Sequence, residues 1–347
     1  MRVAGRLLKE KALALWFEVL TGQNPVGASS LLLAAALLDF AVGDPWGWPH
    51  PVQFMGKAIA LYSKASLAKP RSPRQMKLLG IGLGVLLIGG TGLLSWLGLQ
   101  ALREISPLLA WSVEVVLLAS CFAGRSLRKA ADDVLQPLNR NLIAVDLPEA
   151  RRRLSMYVGR DTDQLSVEEI RRAVLETASE NAVDGVLAPL FYAILGAGLG
   201  LAAPVALAYK AASTLDSMVG YKEAPYTDLG WFSAQFEDGL TWVPCRISVF
   251  AIALLSGKPG HVLRLCRRDA PADPSPNAGW SECAYAAAIG VRLGGANTYG
   301  GKLKMKPFLG DAEQSITDTA IARAYRLTRA SFLLGLGMGI SGLWLLG

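Results

Sequence analysis

A chain of 347 residues with 52% hydrophobic and 18% charged residues, and a mean hydropathy of +0.33, suits one helical membrane domain better than two soluble ones. The net charge of +7 would suit nucleic acid, but its lysines and arginines gather between apolar runs and are not interleaved with aromatics. That argues against a nucleic-acid groove and fits the positive-inside rule. Isolated cysteines without CxxC spacing and two distant histidines give no support to a disulfide framework, a zinc site or a Ser-His-Asp triad.

Residues 1–27 set Arg2, Arg6, Lys9 and Lys11 beside leucines, Trp16 and Phe17. This predicts an amphipathic extension lying on a membrane surface, and no small-residue cleavage site marks a secretory signal. Residues 28–347 are expected to form a single helical membrane catalytic domain. Apolar runs at 28–43, 78–100, 106–123 and 331–346 are the predicted spans, a crossing needing about 20 residues. Asp39 interrupts the first run, and the basic cluster before it conflicts with a full crossing from outside, so that crossing stays open. The short 101–105 connection makes the second and third runs a helical hairpin. Glu114, inside the third, should face protein because a carboxylate is costly in lipid. Basic residues crowd 44–77 and 124–185, which places both segments on the cytoplasmic side of a cell membrane crossed several times. "GDPWGWPHP" at 43–51 is a rigid turn offering Asp44 and His50 to that side. "DAPADPSPNAG" at 269–279 is too proline-rich to be helical.

The stretch "ETASENAVDGVLAPLFYAILGAGLGLAAPVALAYKAASTLDSMVGY", Glu176 to Tyr221, sets acids and a lysine directly against a long apolar run. Two helices fit it better than one span. Gly196, Gly198 and Gly200 form a natural turn, and Pro204 suits the first turn of a new helix. A hairpin near 168–218 keeps both polar ends on one side of the membrane. GxxxG patterns at Gly80/Gly84, Gly196/Gly200 and Gly335/Gly339 are compatible with close helix packing.

On an α-helix Glu176, Glu180 and Asp184 stand within an arc of about 80°, with Asn181 at its edge. Carboxylates so placed repel unless a cation sits among them, and hard oxygen ligands suit Mg²⁺. A solvated acidic face is the plainer alternative. After the turn, Lys210, Thr214 and Ser217 share one face, with Tyr209 and Asp216 on a neighbouring one. A lysine offsets phosphate charge and hydroxyls ligate metal or phosphate, although lysines also snorkel at membrane interfaces. "VGRDT" at 158–162 offers Arg160 and Asp161, with an ordinary salt-bridged loop as the default. "SPNAGW" at 275–280 and "GGANTYGG" at 294–301 read as loops whose N–H groups can hold anions, though surface turns share that composition. The chain lacks a GxxxxGK[ST] P-loop and a strand-flanked GxGxxG.

These segments, together with "GDPWGWPHPVQFMGKAI" and "LGWFSAQFEDGLTWVPCRI", stand in family order over most of residues 30–301. In them the chain resembles the adenosylcobinamide-phosphate synthases of cobalamin biosynthesis, which are integral membrane proteins. The resemblance implies an ATP- and Mg²⁺-dependent ligase. It would join a propionate carboxylate of the corrinoid adenosylcobyric acid to (R)-1-amino-2-propanol or its O-phosphate. In that mechanism Glu176, Glu180 and Asp184 hold Mg²⁺, assisted by Asn181 or Asp216, while Lys210 and Arg160 offset phosphate charge. Asn277, Trp280, Asn297 and Tyr299 are candidates for nucleotide or corrinoid contacts, and Tyr209, Thr214 and Ser217 complete the substrate-binding set. The chain departs from the family pattern at Ser281-Glu282 and over Lys222–Tyr226. The expected fold is all-α and polytopic, with a cytoplasm-facing polar site. The rival readings are a secondary transporter and a non-catalytic scaffold. Polar residues at segment ends and the lack of an inverted repeat speak against transport.

Overall fold

The computed structural model describes residues 25–44, 47–139 and 145–346. The expected surface helix at 1–27 lies outside them but for its last three residues. The first helices are α1 Pro25–Ala41, α2 Pro51–Leu67, α3 Pro73–Gly84, α4 Gly90–Ile105, α5 Pro107–Ala119, α6 Gly124–Asn139 and α7 Leu147–Leu154. Next come α8 Val167–Ala182, α9 Ala188–Ala197, α10 Ala202–Val219, α11 Trp231–Leu255, α12 Pro259–Asp269 and α13 Ala278–Ile289. A hairpin of β1 Leu293–Tyr299 and β2 Lys302–Leu309 precedes α14 Asp318–Leu346. π-helical turns at Val85–Gly89 and Val183–Leu187 join α3 to α4 and α8 to α9.

The polytopic helical architecture is as expected, with one addition: "GGANTYGG" forms a strand and turn rather than a loop. Pro73–Ile105, Pro107–Asn139 and Trp231–Leu255 are long and apolar enough to cross a membrane. The third was not foreseen, because Pro244 and Arg246 interrupt its apolar run. The run at 331–346 is instead the end of α14, whose first half carries Asp318, Arg323, Arg326 and Arg329. The basic segments 44–77 and 124–185 are largely helical, as α2, α6, α7 and α8. The chain condenses into two compact units, residues 1–123, 189–240 and 335–347 in one, and 124–188 and 241–334 in the other.

In the first unit α10 packs against α2, α4 and α5. Ile59, Leu83, Leu215 and Val219 form a core ringed by Tyr62, Leu87, Met218 and Tyr226. The Gly80/Gly84 pattern is a close-packing site: a side chain at Gly80 would run into the Leu229 carbonyl, and one at Gly84 into the Phe232 ring. The α9–α10 hairpin doubles back where the glycines predict. Gly200 takes a left-handed φ of 68°, open to a residue without Cβ. Tyr192 of α9 then stacks on Tyr209 of α10 with ring centroids 4.7 Å apart. Arg103 donates to Glu114 Oε2 at 3.0 Å, so the acid in the third apolar run does face protein. Leu86 and Leu94, 67% and 71% exposed, present the first span's outer face to lipid. A cavity of about 580 Å³ lies inside this unit, lined among others by Ile88, Leu93, Trp96, Tyr192, Val205 and Phe236.

In the second unit α6, α7 and α8 pack on one another, and α13 packs on α8, α12 and both strands. A capping box starts α8: Ser166 Oγ accepts from the Glu169 N–H, and the Glu169 carboxylate accepts from the Ser166 N–H. Alanines let neighbours close on α13 from every side, so Ser281 through Ile289 are all buried. The hairpin turns on Gly300 and Gly301, with φ of 54° and 75°, the double left-handed geometry of a two-residue turn. The Asp161 carboxylate accepts from both of their N–H groups, at 3.0 and 2.8 Å, and the Asp161 N–H donates to Thr298 O at 2.8 Å. "VGRDT" thus clamps the tip of "GGANTYGG".

Candidate active site

Helix α8 carries Arg172, Glu176 and Glu180 one turn apart, on the side that meets β1. Glu176, 1% exposed, is paired with two arginines. Arg160 Nη2 stands 2.5 Å from its Oε2 and Arg172 Nη1 3.3 Å from its Oε1, and the Gly294 N–H donates to Oε1 at 2.9 Å. Arg172 also donates to the carbonyls of Gly294 and Ala296, and Arg160 to Asn297 Oδ1 at 2.8 Å. Arg160, Glu176 and Asn297, all candidates from the sequence, thus stand together. Their geometry, however, is that of a buried ionic rivet between α8 and β1.

One turn further, Glu180 opens onto a second cluster. Burial raises its carboxyl pKa, with Asp273 and Glu176 adding to the rise against the pull of Lys306 and Arg160. Glu282 of α13 has no exposed surface. Its Oε1 accepts from Lys306 Nζ at 3.1 Å, and its Oε2 is buried without a hydrogen-bond partner among the described residues. Burial first, then the like charges of Glu180 and Glu176, push the Glu282 carboxyl up to about 8 against the opposing Lys306. Burial works against the Lys306 ammonium, yet Glu282, Glu180 and Glu176 outweigh it and hold its pKa above the ordinary value. Asp273 Oδ2 is likewise buried without a hydrogen-bond partner. Across the two clusters, Glu176, Glu180, Glu282 and Asp273 face Arg160, Arg172 and Lys306, which leaves one carboxylate in excess. Burial first and the like charges after it drive the upward shifts, and the surplus calls for a proton or a cation.

The expected metal set is Glu176, Glu180 and Asp184. Among the described residues no three His, Cys, Asp or Glu side chains are arranged to hold a metal ion. Two guanidinium groups already satisfy Glu176. Asp184 sits in the π-helical turn that follows α8. Asn181 is exposed and donates back to Thr177 O at 2.9 Å. Glu282, Lys306, Arg172 and Asp273 were missed as site residues. The signals were present: an acid in an alanine-rich helix, a Lys-x-Lys-x-Lys strand, and an Arg four residues before Glu176.

Asn277 and Trp280 are brought together at the start of α13. Ser275 Oγ accepts from the N–H groups of Asn277 and Ala278 at 3.3 and 3.1 Å, shaping the turn. Asn277 Oδ1 accepts from Arg246 Nη1 at 3.0 Å, and the Arg246 guanidinium lies 4.8 Å from the Trp280 ring centroid and 5.0 Å from that of Trp242. Tyr299 lies on β1 with Lys304 Nζ 5.8 Å over its ring.

Lys210, Asp216, Tyr209, Thr214 and Ser217 belong to the first unit. There Tyr209, 2% exposed, stacks on Tyr192 and lines the cavity of that unit. Thr214 Oγ1 donates to Lys210 O at 2.7 Å and Ser217 Oγ to Thr214 O at 2.9 Å, so both hydroxyl protons are spent within α10. Asp44 and His50 meet at 3.3 Å, and His50 Nδ1 accepts from the Val52 N–H, capping α2.

The model of the family described as CobD/Cbib protein matches residues 32–328. A cobalamin biosynthesis protein CobD of Synechocystis sp. is 50% identical over 319 residues, covering 91% of this chain and 92% of its own. A cobalamin biosynthesis protein CobD of Citrobacter koseri is 42% identical over 88% of this chain and 95% of its own. A cobalamin biosynthesis protein CbiB of Salmonella arizonae is 41% identical over 90% and 97%. No solved structure matches.

Proposed function

The chain belongs to the CobD/CbiB family of cobalamin biosynthesis proteins, and from that premise we propose that it is an ATP-dependent amide ligase. It joins a propionate carboxylate of adenosylcobyric acid to (R)-1-amino-2-propanol or its O-phosphate. The site faces the cytoplasm, where ATP is found. The observation that carries the reading is the surplus carboxylate of the Glu180–Glu282–Lys306 cluster, with the Glu282 Oε2 atom buried and unpartnered.

An ionised carboxylate is a poor electrophile with no good leaving group, so the γ-phosphoryl group is first transferred to the propionate oxygen with loss of ADP. The amine nitrogen then attacks the acyl carbon, the C–N bond forms and inorganic phosphate leaves. The proton shed by the nitrogen passes to the carboxylate in excess. Mg²⁺ accompanies ATP and needs one or two protein carboxylates beside phosphate oxygens, a donor set that Glu180 and Glu282 Oε2 fit without Glu176. When bound, it draws negative charge from the phosphate oxygens. Lys306 fixes Glu282 and adds a positive charge beside the transferring group. Arg160, Arg172 and Glu176 hold α8 against β1 so that Glu180 is presented correctly. Lys210 and Asp216 carry the proposal through their motif alone.

Purified protein in detergent, given cobyrate, amine and ATP, should form amide with one ADP and one phosphate per product. Glu180→Ala and Glu282→Ala should each lose product by at least about 100-fold while remaining folded. Flux of corrinoid into vesicles without ATP consumption or amide would replace this reading with transport.

A further inference from the structure

We propose that the Arg246 guanidinium, gripped between the Trp242 and Trp280 rings, binds the oxyanion of a substrate, a carboxylate or a phosphate monoester. Arg246 lies in α11, a helix apolar enough to cross a membrane, where a guanidinium is retained at a cost and is expected to have a use. The partners the structure gives it are neutral. Two indole faces flank it, at 5.0 and 4.8 Å from centroid to guanidinium carbon, and Asn277 Oδ1 takes one N–H at 3.0 Å. Asn277 is itself tied to α11, since Cys245 Sγ donates to its carbonyl at 3.4 Å. The two rings and the amide hold the group in place and leave its remaining N–H donors to a ligand. A planar fork of N–H groups matches two oxygens of one carboxylate or phosphate.

The surplus charge of the Glu180–Glu282 cluster favours cations, so an anionic end of a substrate needs a separate grip. Helical periodicity provides it. Trp280 and Glu282, two residues apart on α13, point to sides about 200° apart. The inference rests on the amide-ligase reading, in which the corrinoid offers a carboxylate and the amine a phosphate.

The test is calorimetric titration of full-length protein in detergent with adenosylcobyric acid, with (R)-1-amino-2-propanol O-phosphate and with the unphosphorylated amine. A fourth arm uses nanodiscs with and without phosphatidylglycerol. Arg246→Gln should weaken one of the first two probes about 10–100-fold, the worth of a charge-assisted pair of hydrogen bonds. Arg246→Lys, which keeps the charge and loses the fork, should fall between. A loss confined to the amine phosphate, with the free amine unaffected, assigns the phosphate; a loss confined to the corrinoid assigns the carboxylate. Wild-type affinity of Arg246→Lys and Arg246→Gln for both probes overturns the inference, as does an effect confined to phosphatidylglycerol, which would make Arg246 a lipid contact. Unchanged binding in the variants beside ATP-dependent product in the wild type removes the inference and leaves the ligase. Arg246-dependent binding without product in the wild type does the reverse.

Discussion

In the first unit Arg103 and Glu114 form a closed pair, one cation to one anion, set in helices whose outer faces carry Leu86 and Leu94. The second unit gathers Arg160, Arg172 and Lys306 around Glu176, Glu180, Glu282 and Asp273, and the sum does not close. Both units bury charge and both leave an oxygen without a hydrogen-bond partner, Ser63 Oγ in the first and Glu282 Oε2 in the second. Within the second unit Glu176 is paired to two arginines, and Glu282 to one lysine. The balance of charge, more than burial, separates an ionic group that holds helices together from one left open to a ligand.

The comparison breaks most sharply at Glu176. Glu176→Ala strands two buried guanidinium groups and should cost about 3–5 kcal/mol, seen as a large drop in melting temperature of the detergent-solubilised protein. Glu114→Leu should cost about 3 kcal/mol for the same reason. Arg103→Met with Glu114→Leu should recover most of it, because a closed pair can be exchanged for apolar packing. No such double change is expected to rescue Glu282 function. Glu282 sharpens the contrast through pH. Its carboxyl rises from an ordinary 4.5 to about 8 in the folded state, so the folded chain holds a proton that the unfolded chain has released. Its contribution to stability is complete below about pH 4.5 and is lost as pH rises through about 8. Wild-type melting temperature should therefore fall between pH 5 and 9, and Glu282→Gln should flatten that fall, with the remainder due to Glu180. At the small end, Leu94→Ala on the lipid-facing surface should change stability by no more than about 0.5 kcal/mol.

Local signals were readable wherever the chain itself sets geometry. Gly200 and Pro204 announced the turn between α9 and α10, and the four-residue spacing of Glu176 and Glu180 placed both on one stripe of α8. The partners of that stripe were not readable, because Arg160, Gly294 and Lys306 arrive from other elements. β1 was hidden by its composition: glycine and asparagine speak for a loop, and it is a strand because β2, Arg172 and Asp161 hold it. The π-helical turn at Val183–Leu187 has no residue signature. The span in α11 was obscured by Pro244 and Arg246, the second of which the fold wraps in indole.

A π-helical turn holds one residue more than the α-helical turn it replaces. Deleting a single residue from Val85–Gly89 would let α3 run on into α4 as one uniform helix, and because five π-helical residues wind about as far as four α-helical ones, everything beyond would keep its angular phase. Gly80 and Gly84 would keep their seat against Leu229 and Phe232, and Leu93 and Trp96 their place on the cavity wall. The segment would insert as before, since its apolarity is unchanged. Such an in-frame deletion is thus better tolerated there than in an α-helical turn of the same span, where it would rotate the flank by about 100°.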